Sequence, residues 1–146
     1  MAANTAPIFS RTPDNQVSQQ INVTGSLPDG QGANVVSIFQ ADATEGGWVE
    51  EVRFKAIGSP AATALRVFLY TGTGAYTAGT SNTTSNTALI GEVGAPAITA
   101  SATSPQIDII IPIRKYLMAG TRLLFGNGTA TGASTGYAVT VFGGKL

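Results

Sequence analysis

The sequence predicts an all-β domain: a jelly-roll sandwich of about eight antiparallel strands, with an extended N-terminal arm and no long helix. Three observations carry this expectation. Almost every apolar segment is short, rich in Val, Ile, Phe or Tyr, and bounded by Gly, Pro, Asn or Ser. The best of these segments alternate with period two. No window sustains an apolar 3.6-residue period without an interrupting Gly or Pro, and the short connections leave no room for crossover helices.

Taken in order, the first expected strand is Gln20–Thr24, followed by Asn34–Ala41. Trp48–Ile57 alternates most clearly: Trp48, Val52, Phe54 and Ala56 share one face, with Glu50 as the exception, and Glu51, Arg53 and Lys55 fall on the other. In Thr63–Tyr70, Leu65, Val67 and Leu69 oppose Arg66, Phe68 and Tyr70. Ala88–Val93, Gln106–Pro112 and Thr121–Gly126 follow, with Ile113–Leu117 either extending a strand or forming a single turn. The last strand is Gly136–Phe142, where Tyr137, Val139 and Val141 alternate with Ala138, Thr140 and Phe142. Glu45-Gly46-Gly47 and Met118-Ala119-Gly120-Thr121 have the composition of tight hairpins.

Two segments stand outside this pattern. Residues 1–19 lack a strand pattern, and Pro7 and Pro13 favour an extended course, so they form an arm ahead of a single sandwich domain over 20–146. The arm's apolar pair, Ile8 and Phe9, suits either strapping onto a partner or folding back over its own sandwich. Thr71–Thr87 is a long loop of Gly, Thr, Ser and Asn with Tyr76 as its only large side chain. Loops of that length in compact domains are commonly functional. This one packs on a neighbouring subunit, lines a groove, or moves. Ile8, Phe9 and Tyr76 are therefore the candidate interface residues.

Composition excludes much chemistry. The 146 residues include no Cys and no His, which removes disulfides, Cys/His zinc sites, Cys nucleophiles, His-based triads and haem-His ligation. Charged residues make up 11% of the chain and balance to a net charge of zero, so binding duplex DNA through counterion release is not expected. What charge there is divides unevenly, with an acidic excess in residues 1–47 and a basic excess thereafter. No apolar run has the length of a signal peptide's core or a membrane span. Asn22-Val23-Thr24, Asn82-Thr83-Thr84 and Asn127-Gly128-Thr129 match the glycosylation triplet, but they read as Thr/Asn-rich composition.

The remaining candidates each have a plainer reading. Gly72-Thr73-Gly74 and the Gly126, Gly128, Gly132 cluster match neither dinucleotide nor P-loop spacing and read as turn glycines. Glu50 and Glu51 point to opposite faces of a strand and cannot work as a glycosidase pair; Glu50 is expected at a strand end or paired with Arg66 or Arg122. Asp42, Thr44 and Glu45 offer oxygen ligands without calcium-loop spacing. Trp48, Tyr70, Tyr76 and Tyr116 are the aromatics a sugar-binding module would use; the plainer reading puts Trp48 in the core and the tyrosines at its rim. No catalytic residue, cofactor or metal is expected.

The opening Met1-Ala2-Ala3-Asn4-Thr5-Ala6-Pro7-Ile8-Phe9 resembles a group of small proteins of tailed bacteriophages and prophages. Val35-Val36-Ser37-Ile38-Phe39, Val52-Arg53-Phe54, Arg66-Val67-Phe68-Leu69-Tyr70, Leu117-Met118-Ala119-Gly120 and the closing Gly143-Gly144 extend the resemblance over most of the chain. These look like head decoration, or cement, proteins. The resemblance implies a jelly-roll homotrimer, made in the host cytoplasm and seated on the outer surface of the major capsid protein lattice. It implies neither nucleic-acid nor membrane partners. The alternative expectation is a jelly-roll carbohydrate- or receptor-binding module of a phage fibre or baseplate.

Overall fold

The computed structural model describes residues 12–21, 28–31, 34–72, 74–132 and 134–146. Among the described residues eight strands follow one another: β1 (Thr12–Ile21), β2 (Val36–Gln40), β3 (Gly47–Ile57), β4 (Thr63–Tyr70), β5 (Thr87–Ala95), β6 (Asp108–Leu117), β7 (Arg122–Asn127) and β8 (Gly136–Lys145). They form two four-stranded sheets, ordered β1-β8-β3-β6 and β2-β7-β4-β5, and every ladder is antiparallel.

The pairs β1–β8, β2–β7, β3–β6 and β4–β5 run like the two arms of one long hairpin whose bend lies between β4 and β5. Rolling that ribbon brings β3 beside β8 and β4 beside β7, which closes each sheet. This is the jelly-roll order. It corrects both expected tight hairpins. β2 and β3 lie in different sheets, and so do β6 and β7, so the turns at Gly46 and Gly120 carry the chain across the sandwich. Consecutive strands share a sheet only at β4–β5, and there the connection is the long loop. Glycine-rich composition marks a sharp turn without saying which strands it joins.

The expected boundary at residues 19 and 20 falls inside β1, a second correction. Residues 12–19 of the expected extended arm belong to an edge strand of the chain's own sandwich, laddered to β8 from Thr12↔Lys145 to Ile21↔Tyr137. Its sequence, TPDNQVSQQI, has little apolar alternation to read. Pro13 is tolerated near the start of an edge strand, where a missing N–H costs least. Ile8 and Phe9 lie outside the described residues, as does the expected strand end at 22–24. Ile113–Leu117 extends β6.

The core lies between the sheets, built from the inward residues of β3, β4, β7 and β8. Phe54 from one sheet meets Phe125 from the other edge to face, with centroids 5.7 Å apart and planes at 90°. A smaller cluster of Val35, Phe68, Tyr70 and Leu124 sits on the outer face of the second sheet, with Tyr76 packed against it. Loop 71–86 covers that face, so β4 and β7 are buried on both sides: Val67, Phe68, Leu123 and Leu124 have no exposed surface.

The loop's Asn, Ser and Thr side chains satisfy its own backbone. Asn82 donates to the Gly30 carbonyl and accepts from the Gly79 amide, while Asn86 donates to the Ser81 carbonyl and accepts from the Thr83 amide. Asn82 and Asn127 are both buried, so neither triplet presents an accessible acceptor; Asn22 lies outside the described residues.

Candidate functional site

Of the three candidate interface residues, Tyr76 is used within its own fold. Its ring meets Tyr70 at 5.2 Å, edge to face, and its hydroxyl donates to the Val35 carbonyl at 2.9 Å. Burial, and secondarily the neighbouring Tyr70, push its hydroxyl pKa up to about 12. Tyr70 is itself buried. Two of the four aromatics with sugar-binding chemistry are thus structural.

The other two come together on the outer face of the first sheet. β3 carries an irregularity at Glu50: Val49 pairs with Gly143 and Glu51 with Phe142, so Glu50 is an extra residue relative to β8. Against β6 the same register shift leaves Glu50 opposite Ile113 and Arg114. Such a bulge reverses the facing of everything beyond it. Val49 is buried, whereas Trp48 is half-buried on the outside. The expected core placement of Trp48 is therefore corrected, and the bulge explains why Glu50 broke the alternation.

Trp48 lies directly opposite Tyr116 on β6. Tyr116 is 51% exposed, and its hydroxyl donates to the Glu45 carbonyl at 2.8 Å. Its ring rests against Gly46 (φ 89°), where an added Cβ would fall 2.6 Å from the Tyr116 hydroxyl. Only glycine leaves the ring room to lie there. Met118, 63% exposed, follows at the end of the same strand.

Glu50 supplies the polar half of the site. One carboxylate oxygen accepts from Arg114 Nε at 3.1 Å and the other from the Trp48 indole N–H at 3.4 Å. The pairing with Arg114 replaces the expected Arg66 or Arg122. Arg66 instead binds Glu92 at 2.7 Å, and Arg122 donates to the Gly74 carbonyl at 3.2 Å. Glu51 pairs with Arg53 at 3.0 Å, so the adjacent carboxylates serve different arginines. Arg114 was not singled out by its sequence context. The polar Glu50 in an otherwise clean apolar parity was the one signal of a bulge that would have drawn attention to its partner strand.

Other candidates resolve into turns. Asp42 accepts from the Thr44 and Glu45 amides at 2.8 and 3.0 Å, and these bonds hold its carboxyl below the ordinary value. Gly72 abuts the Tyr70 ring, and the middle residue of its triplet lies outside the described residues. An open cleft of about 410 Å³ lies among Gln40, Gly72, Gly74, Gly120 and Arg122, where three loops meet at one end of the sandwich. Among the described residues no group of three or more acidic side chains is placed to hold a metal, and no helix is long and apolar enough to cross a membrane. No protein-family model, no curated protein and no solved structure matches the chain.

Proposed function

We propose that the protein is a structural virion protein that decorates and stabilises a bacteriophage capsid, binding the outer surface of the major capsid protein lattice as a homotrimer. Support comes from the sequence resemblance, from the jelly-roll order and, above all, from the edge strand β5. A sheet edge is a template for another chain unless something blunts it. The other three edges carry blunting features: β1 has Pro13 and Asp14, β2 is five residues long and irregular, and β6 has Pro112 and a bulge beside Arg114 and Lys115. β5 is nine residues, TALIGEVGA, without Pro, Lys or Arg; its one charge, Glu92, is held by Arg66, and its one irregularity, an extra residue at Ile90, leaves Gly91–Ala95 in unbroken register with β4. Such a strand suits pairing with a second chain by strand addition.

On a capsid, contact present only with the assembled shell stabilises that shell by mass action, and three-fold repetition multiplies weak contacts. The reading assigns no catalysis and no cofactor. Light scattering after size exclusion tests it, with a mass of three chains expected and Leu89→Lys on the exposed part of β5 yielding a folded monomer. Co-sedimentation with capsids tests the partner. A chain that is monomeric at all concentrations and stays in the supernatant overturns the reading.

A further inference from the structure

We infer that Trp48, Tyr116, Glu50 and Arg114 form a binding site for an uncharged sugar ring of a glycan. The inference stands independently of capsid decoration. Its first support is the aromatic pair. Trp48 and Tyr116 face each other across β3 and β6 on the outer face of the sandwich, and their rings lie outside both apolar clusters. Residues directly opposite on antiparallel strands hold their side chains within contact distance. The two aromatic side chains thus stand on neighbouring strands of one face, each with a polar edge: the indole N–H reaches Glu50 and the Tyr116 hydroxyl reaches Glu45. The C–H face of a pyranose has the complementary character.

The second support is the charge pair beside the rings. Glu50 and Arg114 are 50% and 73% exposed, so both reach solvent while holding each other. Together they are neutral, which favours an uncharged ligand over an anion. A carboxylate that accepts and a guanidinium that donates, side by side, match adjacent hydroxyls that each donate and accept. The indole N–H to Glu50 bond ties this polar element to the aromatic one.

The third support is rigidity. Arg114 sits at φ 47°, a conformation disfavoured for a residue with a side chain. Tyr116 is fixed at its hydroxyl by Glu45 and beneath its ring by Gly46. Exposed aromatic side chains held in place bind with little loss of rotamer freedom.

Trp48 is the only tryptophan in the chain, so intrinsic fluorescence reports on this site alone. The experiment titrates the intact protein with glucose, galactose, mannose, N-acetylglucosamine and their tetrasaccharides to tens of millimolar, with glycerol as the control for a polyol lacking a ring. The expected result is a saturable change in Trp48 emission with at least one sugar and none with glycerol. Tyr116→Ala should weaken the response roughly tenfold or more, as loss of an aromatic anchor does. Tyr116→Phe keeps the ring and loses only its tether to Glu45, so it should weaken the response much less. Arg114→Ala alters only an exposed side chain and should also weaken it, so the test does not depend on the fold tolerating Tyr116→Ala. The inference is overturned if no sugar gives a saturable change, if glycerol gives the same one, or if the response survives both alanine variants undiminished.

Discussion

Arg114 holds a left-handed backbone conformation while its Nε donates to Glu50 across the bulge at 3.1 Å. The two features have one origin. β3 carries Glu50 as an extra residue relative to β8, β6 sets both Ile113 and Arg114 against that single residue, and Arg114 takes its left-handed conformation within this bulge. The ion pair is too exposed to contribute much to stability; surface pairs are worth about 0–1 kcal/mol. The left-handed conformation costs about 1–2 kcal/mol in a residue with a Cβ.

Arg114→Gly should therefore leave the melting temperature unchanged or raise it, despite the lost ion pair and glycine's greater unfolded-state entropy. Arg114→Val should lower stability by about 1–2 kcal/mol, because a β-branched residue fits this conformation worst. Urea titrations of both variants check the sign. Equal destabilisation by glycine and valine would mean that the ion pair, and not the backbone, dominates.

Tyr76 anchors the long loop, and its two contacts separate experimentally. Tyr76→Phe keeps the ring on Tyr70 and removes the hydroxyl's bond to Val35, an expected loss of about 1 kcal/mol. Tyr76→Ala removes both and should cost about 2–3 kcal/mol. Denaturant midpoints distinguish them. An unchanged midpoint for Tyr76→Ala would show that the loop holds its place without this residue.

Legibility in the sequence followed burial. The bounds of β4 were readable because Thr63–Tyr70 alternates without interruption and both its faces are packed. β1 was not readable, since an edge strand needs backbone partners and little apolar surface. Period-two counting puts Trp48 in the core because it assumes an unbroken pleat, and the bulge at Glu50 breaks it. The loop looked coreless because the surface it covers is supplied by Val35, Phe68 and Leu124, all distant in sequence. The site on the outer face of the first sheet is half visible in the sequence, in its aromatics. Arg114 joins them only through strand register.

High pH should destabilise the protein through its tyrosines. Burial raises the hydroxyl pKa of both Tyr76 and Tyr137 above the ordinary 10.0, Tyr76 to about 12. A raised folded-state value favours the neutral phenol, so this contribution is complete below about pH 10, where the unfolded chain's tyrosines are neutral. It falls away as the pH rises towards 12. Melting temperatures across this range should decline, and less steeply in a Tyr76→Phe, Tyr137→Phe double variant. At neutral pH, Tyr137→Phe alone should be neutral or stabilising, because the buried Tyr137 hydroxyl has no hydrogen-bond partner among the described residues. A clear loss of stability in that variant would reveal a partner for the hydroxyl.

The outer cluster should open without the main core, and Gly30 is the place to test it. Gly30 has φ 71°, and a Cβ there would lie 2.6 Å from Thr87 Cγ2 and 2.8 Å from Phe68 Cδ1. Gly30→Ala thus combines a disfavoured backbone with overlap against the cluster, an expected cost of about 2–4 kcal/mol. Gly30 also accepts from Asn82, so a shift there reaches the loop directly. Hydrogen exchange should report faster opening at Thr71 and Thr83, whose amides are held by Asn86, while amides in the β3–β8 ladder keep their protection. Uniform acceleration across both regions would instead mean that the loop, the outer cluster and the sandwich core unfold as one cooperative unit.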